Sequence, residues 1–313
     1  MNHAHGLSRA VWVSCLVLVA GLLAGCGSGS NGDAGPVTGT DAATGGDASD
    51  GPANLCIDVT ATAPLCTCSP SLPSVVDLSG TWVLKTVGAQ VVTTPAFAQP
   101  FHLKSVNVLL AQVVQAGSDV TLGASYCDRI QHDDPSNPAK VVLPDAWRLT
   151  PAPLVRSGSF ADDGTGQMTL TLPTLIEVFG AILTDPANEA LPVDANDPRL
   201  FDTDRDGFPG ITVDLTGLIS GTLRSVQRQA TALYGVAVSP DRVEGGMAYE
   251  SDQSVVASDP PNIKTLYSGS KASADPTACS STFVMVRVPD VADAGVVDCA
   301  WVRDNEVTLL GPM

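Results

Sequence analysis

From residue 78 onward the chain alternates apolar and polar side chains with a period of two, and that period narrows its possible folds more than any other feature. Residues 167–172 set Met168, Leu170 and Leu172 against Gln167, Thr169 and Thr171, and residues 211–216 set Ile211, Val213 and Leu215 against Thr212, Asp214 and Thr216. Successive side chains of an extended strand point to opposite faces, so each such segment buries one face and wets the other. Residues 82–92, 103–114, 120–126 and 141–149 read as further strands, with Gly or Pro between most of them. Residues 222–234 fit a helix through Leu223, Val226, Ala230 and Leu233, but the flanking glycines and the β-rich run ATALYGVAV favour a strand. The β-branched runs 283–288 and 296–302 read as a terminal strand pair. One stretch after Pro173, residues 175–183 (LIEVFGAIL), is the helix candidate.

The fold expected is all-β: a single β-barrel or a β-sandwich with long loops and at most one or two short helices. A body spanning residues 78–313 is long for a sandwich and comfortable for a barrel. Closing the sheet also removes exposed edges that would otherwise pair with other chains.

Residues 1–25 are read apart from the body. A polar start carrying Arg9 precedes sixteen uncharged residues, AVWVSCLVLVAGLLAG. That is short of the ~20 residues a spanning helix needs and suits a signal segment. It ends in Leu23-Ala24-Gly25-Cys26, which resembles the lipobox of bacterial lipoproteins. The resemblance implies cleavage before Cys26, acylation of that cysteine and a lipid anchor. With Gly27 rather than Asp after the cysteine, it implies the outer membrane of a Gram-negative envelope. Each buried acyl methylene contributes about 0.8 kcal/mol, so several chains anchor stably where one does not. Residues 26–53 read as the lipidated cysteine and a Gly/Asp/Ser/Thr tether, too polar to fold and long enough to hold the body roughly 30 Å from the lipid. Residues 54–77 form a Cys-rich lead-in to the body.

Cys56, Cys66, Cys68, Cys127, Cys279 and Cys299 remain once the leader and the lipidated position are set aside. An even number in an exported chain reads as disulfides, in any of fifteen pairings. A zinc site fits poorly, because the chain has no CxxC pair and neither His102 nor His132 stands at ligand spacing from a cysteine.

With 33 acidic residues against 16 basic ones, a formal charge of −17, the chain lacks the Lys/Arg concentration that nucleic acids require. The acids are not spread evenly. Asp202-Thr203-Asp204-Arg205-Asp206-Gly207 places carboxylates at positions 1, 3 and 5 of a loop, with the turn-permitting glycine at 6. Phe208 would offer its carbonyl, Asp214 or Asp197 a further oxygen, and Arg205 would point outward. The loop resembles the calcium loops of EF-hands, dockerins and thrombospondin type 3 repeats. It departs from the EF-hand in having Val213 at position 12 and a strand, not a helix, after it. The expectation is a structural Ca²⁺ site of modest affinity.

At the start of the body, Ser79-Gly80-Thr81-Trp82 carries the Gly-x-Trp signature that resembles lipocalins and related calycin barrels. The resemblance implies that Trp82 closes the barrel floor and that an arginine from the last strands, Arg287 or Arg303, lies over its ring.

No catalytic constellation is complete. Tyr267-Ser268-Gly269-Ser270-Lys271 contains YxxxK and SxxK without their companion motifs and reads as a loop. Gly27-Ser28-Gly29-Ser30-Gly32 sits in the tether, where no nucleophile elbow forms. His132-Asp133-Asp134 reads as a surface loop, and His102 as a satisfied structural histidine. The expected function is that of a lipid-anchored, non-enzymatic envelope protein whose β-domain binds a small apolar or amphipathic ligand. The rivals are a structural or adhesive surface protein with a filled interior and, behind it, a hydrolase. Aromatics at 5% weigh against a large ligand-gripping pocket.

Overall fold

The structure is a computed structural model describing residues 77–135, 137–150, 152–164, 166–277, 279–289 and 296–311. The lipobox and Cys26, the tether, and Cys56, Cys66 and Cys68 lie outside these residues.

The long alternating segments form β1 (Gly80–Thr93), β2 (Phe101–Ala116) and β3 (Asp119–Asp133). Then come β4 (Ala139–Val142), the short helix α1 (Asp145–Arg148), β5 (Pro153–Asp162) and β6 (Met168–Phe179). β7 (Ile211–Gly217), β8 (Gly221–Ser239) and β9 (Arg242–Asp259) are followed by α2 (Asn262–Tyr267), β10 (Lys271–Ala274), β11 (Thr282–Arg287) and α3 (Cys299–Leu310). The fold is all-β.

Strands β1, β2, β3, β5, β6, β8, β9 and β11 are joined edge to edge, and β11 returns to β1, so eight strands close into a ring. Every pairing in it is antiparallel, and each strand pairs with its neighbour in chain order, an up-and-down arrangement. The two ends differ. Short turns link β2 to β3, β5 to β6 and β8 to β9 at the end where Trp82 sits. The long connections carrying β4, α1, β7, α2 and β10 all fall at the other end.

The period-two alternation now has its cause. One face of each strand points into the ring: Trp82 and Leu84 of β1, Leu109, Ala111 and Val113 of β2, and Leu122 and Ala124 of β3 pack with Leu170, Leu172, Leu233 and Met285. Trp82, Leu122, Leu172 and Leu233 are each 0% exposed, so the Trp82 end is filled by the chain's own side chains.

Three sequence expectations fail here. Residues 175–183 are not helical: β6 runs on to Phe179, with a register shift between Leu172 and Leu175 around Pro173. Proline has no N–H for the ladder, so the strand bulges rather than ends. Residues 296–302 are not the second strand of a terminal pair. They lead into α3, where Asp298 caps the first turn by accepting a 2.9 Å hydrogen bond from the Trp301 amide. Val302 and Leu310, eight residues apart, then face the outside of the ring against Val83, Val108 and Val288. A Cys127–Cys299 disulfide fastens α3 there. Finally, among the described residues three short helices form, not two at most, because residues 145–148 leave the expected 141–149 strand to make α1.

Candidate functional site

Trp82 and Arg287 are direct neighbours on β1 and β11. The Arg287 guanidinium carbon lies 4.4 Å from the centre of the Trp82 ring, while the indole Nε1 donates to the Leu78 carbonyl at 2.7 Å. Arg287 also donates to the Ser79 and Asp77 carbonyls and pairs with Asp241 at 3.0 Å, which ties the chain entrance to the β8–β9 turn. Gly80 is required: its φ is +132°, and a Cβ there would stand 2.9 Å from the Arg287 Nη1. Arg303 does not take this role. It lies on α3 outside the ring and donates to the Cys127 carbonyl at 3.0 Å.

Above the filled end, the ring interior turns polar. Tyr126 donates its hydroxyl to Glu177 at 2.8 Å, and Gln229 donates to the same carboxylate oxygen at 3.1 Å. Burial raises Glu177 above the ordinary carboxylate range, and burial with the Glu177 charge raises Tyr126 well above 10. Arg156 reaches across the interior to the carbonyls of Thr231 and Pro173. Arg129, 3% exposed, lies between two rings, its guanidinium carbon 4.2 Å from the centres of both Tyr126 and Trp147. Its Nη1 donates to the Thr150 carbonyl at 2.8 Å and to that of Trp147 at 3.2 Å. Burial lowers both arginines to about 10, so both remain cationic at neutral pH.

Beyond this layer the ring is hollow. A cavity of about 130 Å³ is lined by Gln90, Ser105, Gln131, Gln227, Gln229 and Gln253 on its polar side, and by Phe101, Trp147, Phe179, Ile211 and Val255 on its apolar side. That volume matches a single-ring molecule; a site of several hundred Å³ would take a drug-sized one. The chain from α2 to β10 closes its mouth, with Tyr267, Ser270 and Lys271 all on the lining. No family model, curated protein or solved structure matches this chain.

The acidic loop stands at the cavity end of the ring, just before β7. Carboxylate oxygens of Asp202, Asp204 and Asp206 lie within 4.8 Å of one another. Asp202 accepts from the amides of Asp206 and Gly207, Asp206 from that of Phe208, and Asp204 Oδ2 from that of Thr212 at 2.8 Å. Asp204 is 2% exposed, and its other oxygen, Oδ1, has no hydrogen-bond partner. Burial and the neighbouring Asp206 push its carboxyl up to about 6. A buried, unpartnered carboxylate oxygen between two further carboxylates fits a hard cation. Arg205 points to solvent, as expected, with φ +60°.

The two further carboxylates expected for this site are engaged elsewhere. Asp214 is not part of the trio; on β7 it accepts from the Thr222 hydroxyl at 2.8 Å. Asp197 is held by both forks of Arg199. The Phe208 ring packs 3.8 Å under the Arg224 guanidinium.

Among the remaining candidates, Cys127 and Cys299 pair with each other, and Cys279 is also disulfide-bonded. His102 is not enclosed: it lies on β2 with 57% of its side chain exposed and meets Asp275 at 3.1 Å. His132 ends β3 on the outer wall, in a surface groove that also touches Thr282 and Glu244. Those residues stand three and four strands away around the ring, and each step is about 4.8 Å. Sequence reading missed the whole polar interior. Its signal was present in Gln131, Gln227, Gln229 and Gln253, polar residues on the cavity face of β3, β8 and β9.

Proposed function

We propose that this chain is a lipid-anchored envelope protein whose ring-shaped β-domain holds a small amphipathic ligand and performs no catalysis. The observation that carries it is the division of the interior: solid at the Trp82 end, hollow and half polar at the other, with long connections over the hollow end only. Amide side chains beside Phe101, Trp147 and Phe179 offer one polar and one apolar wall, the usual composition of a ligand site.

The up-and-down order of eight strands, with Trp82 beneath Arg287, supports the lipocalin-like reading of Gly80-Thr81-Trp82. The lipobox at Cys26 supports export, anchoring and outer-membrane residence, and the Cys127–Cys299 disulfide accords with an oxidising compartment. Ca²⁺ held by Asp202, Asp204 and Asp206 stiffens the connection leading into β7. The second reading, a structural or adhesive surface protein, draws on the filled Trp82 end and the small volume of the cavity.

Titration calorimetry of the full chain with benzyl alcohol, benzamide and benzoate separates the two. Ser251 lines the cavity, so the Ser251→Phe variant fills it. Binding of any of these compounds that Ser251→Phe abolishes supports the ligand reading. Binding of none, or binding that the variant leaves unchanged, favours the structural one.

A further inference from the structure

We propose that the ligand of this cavity carries a carboxylate and that Arg129 binds it side-on; this rests on the ligand-binding reading above. Arg129 lines the cavity, yet its Nε and Nη2 have no hydrogen-bond partner. Those two N–H groups form the edge of a guanidinium that grips a carboxylate with two parallel bonds.

The same chain shows that geometry twice elsewhere. Arg148 donates from Nε and Nη2 to the two oxygens of Asp128 at 2.7 and 2.8 Å. Arg199 does the same to Asp197 at 2.9 and 2.6 Å. At Arg129 the other guanidinium nitrogen, Nη1, is engaged by carbonyls and both faces by aromatic rings, so the Nε–Nη2 edge is what remains for a ligand.

Charge points the same way. The ring interior holds two arginines, Arg129 and Arg156, against one acid, Glu177; the buried Asp128 beside Arg129 is already paired with Arg148. Glu177 spends its hydrogen bonds on Tyr126 and Gln229, and no ion pair joins it to either arginine. One buried cation is left uncompensated, a costly arrangement that an entering anion relieves. Two further donors sit on the same lining without partners: Gln131 Nε2, two residues along β3 from Arg129, and Ser270 Oγ in the α2–β10 cover. Lys271 adds a cation at the exposed rim. With about 130 Å³ to fill, the ligand is a single-ring or short-chain carboxylic acid.

The test compares benzoate with benzamide, which has the same shape and no charge, by calorimetry on the full chain, on Arg129→Gln and on Ser251→Phe. The expected result is benzoate binding at least about tenfold tighter than benzamide, the preference vanishing in Arg129→Gln and all binding vanishing in Ser251→Phe. Equal binding of the two compounds, lost in Ser251→Phe, would overturn the carboxylate assignment and leave the cavity reading standing. Binding of neither would overturn both. A benzoate preference that survives in folded Arg129→Gln would remove Arg129 from the role. Should Arg129→Gln fail to fold, the acid-to-amide ratio on the native chain still decides for or against the carboxylate.

Discussion

At the scale of single residues, Trp82 and Arg287 join burial to a ring contact at the closed end. Trp82 is fully buried, so Trp82→Ala removes a large side chain from a site that cannot collapse easily, and we expect a loss of about 3–5 kcal/mol in urea unfolding. Arg287→Lys is the sharper test. Lysine keeps the charge but loses the flat stack on Trp82 and the fan of bonds to Asp77, Ser79 and Asp241, so it should cost about 1–3 kcal/mol. Arg303→Lys at the α3 position should cost less, because Arg303 stacks on no ring and makes one carbonyl bond. Equal losses from the two lysine variants would mean that the ring contact over Trp82 contributes little.

At the scale of elements, the disulfide and α3 act as one unit. Cys127 and Cys299 are 172 residues apart, so their bond removes much of the freedom of the unfolded chain. The double variant Cys127→Ser with Cys299→Ser should lose roughly 2–5 kcal/mol, measured by urea unfolding. It should also speed amide exchange in α3 ahead of the ring, since α3 rests on the outer wall through Val302, Leu310 and the buried Lys85–Glu306 pair. Unchanged α3 exchange would show that apolar packing alone holds the helix. The legibility of these elements in sequence follows from how local their causes are. β7 and the start of β6 are readable because apolar and polar side chains alternate along them, whereas β1, buried without alternation from Trp82 to Thr86, and β11, apolar throughout Phe283–Val286, show only as apolar runs between turn residues. α3 was not, because the β-branched pair Val296-Val297 and Val302 outweighed Asp298, whose capping role shows only once the Trp301 amide is placed above it. Residues 175–183 read as helical because Leu175, Val178 and Phe179 keep helical spacing on a strand that bulges after Pro173. In the site, the Asp202–Asp206 spacing is local and legible. The pairing of Arg129 with Tyr126 and Trp147 is not, because it needs a register between β3 and a connection that no local pattern encodes.

At the scale of the whole molecule, the ring is closed everywhere and so resists local opening, while the inserts at its hollow end are held by far fewer contacts. The calcium proposed for the acidic loop should therefore act on the inserts and not on the ring. Without a cation, Asp202, Asp204 and Asp206 repel one another, and the buried Asp204 oxygen has no partner. Ca²⁺ at the proposed site should relieve both penalties and hold the amides that these carboxylates already accept from, those of Gly207, Phe208 and Thr212. Hydrogen-exchange mass spectrometry of the full chain at about 1 mM Ca²⁺ against excess chelator should show slower exchange across residues 202–212. Segments of β1, β2 and β8 should be unchanged. Asp204→Asn keeps the shape and removes the charge, so it should abolish the calcium effect while retaining slow exchange in the ring. Because β7 follows this loop directly and lends Ile211 and Val213 to the cavity lining, calcium should also tighten benzoate binding. Protection that spreads evenly through the ring, or none at all at that concentration, would separate the acidic loop from any role in holding the cavity's shape.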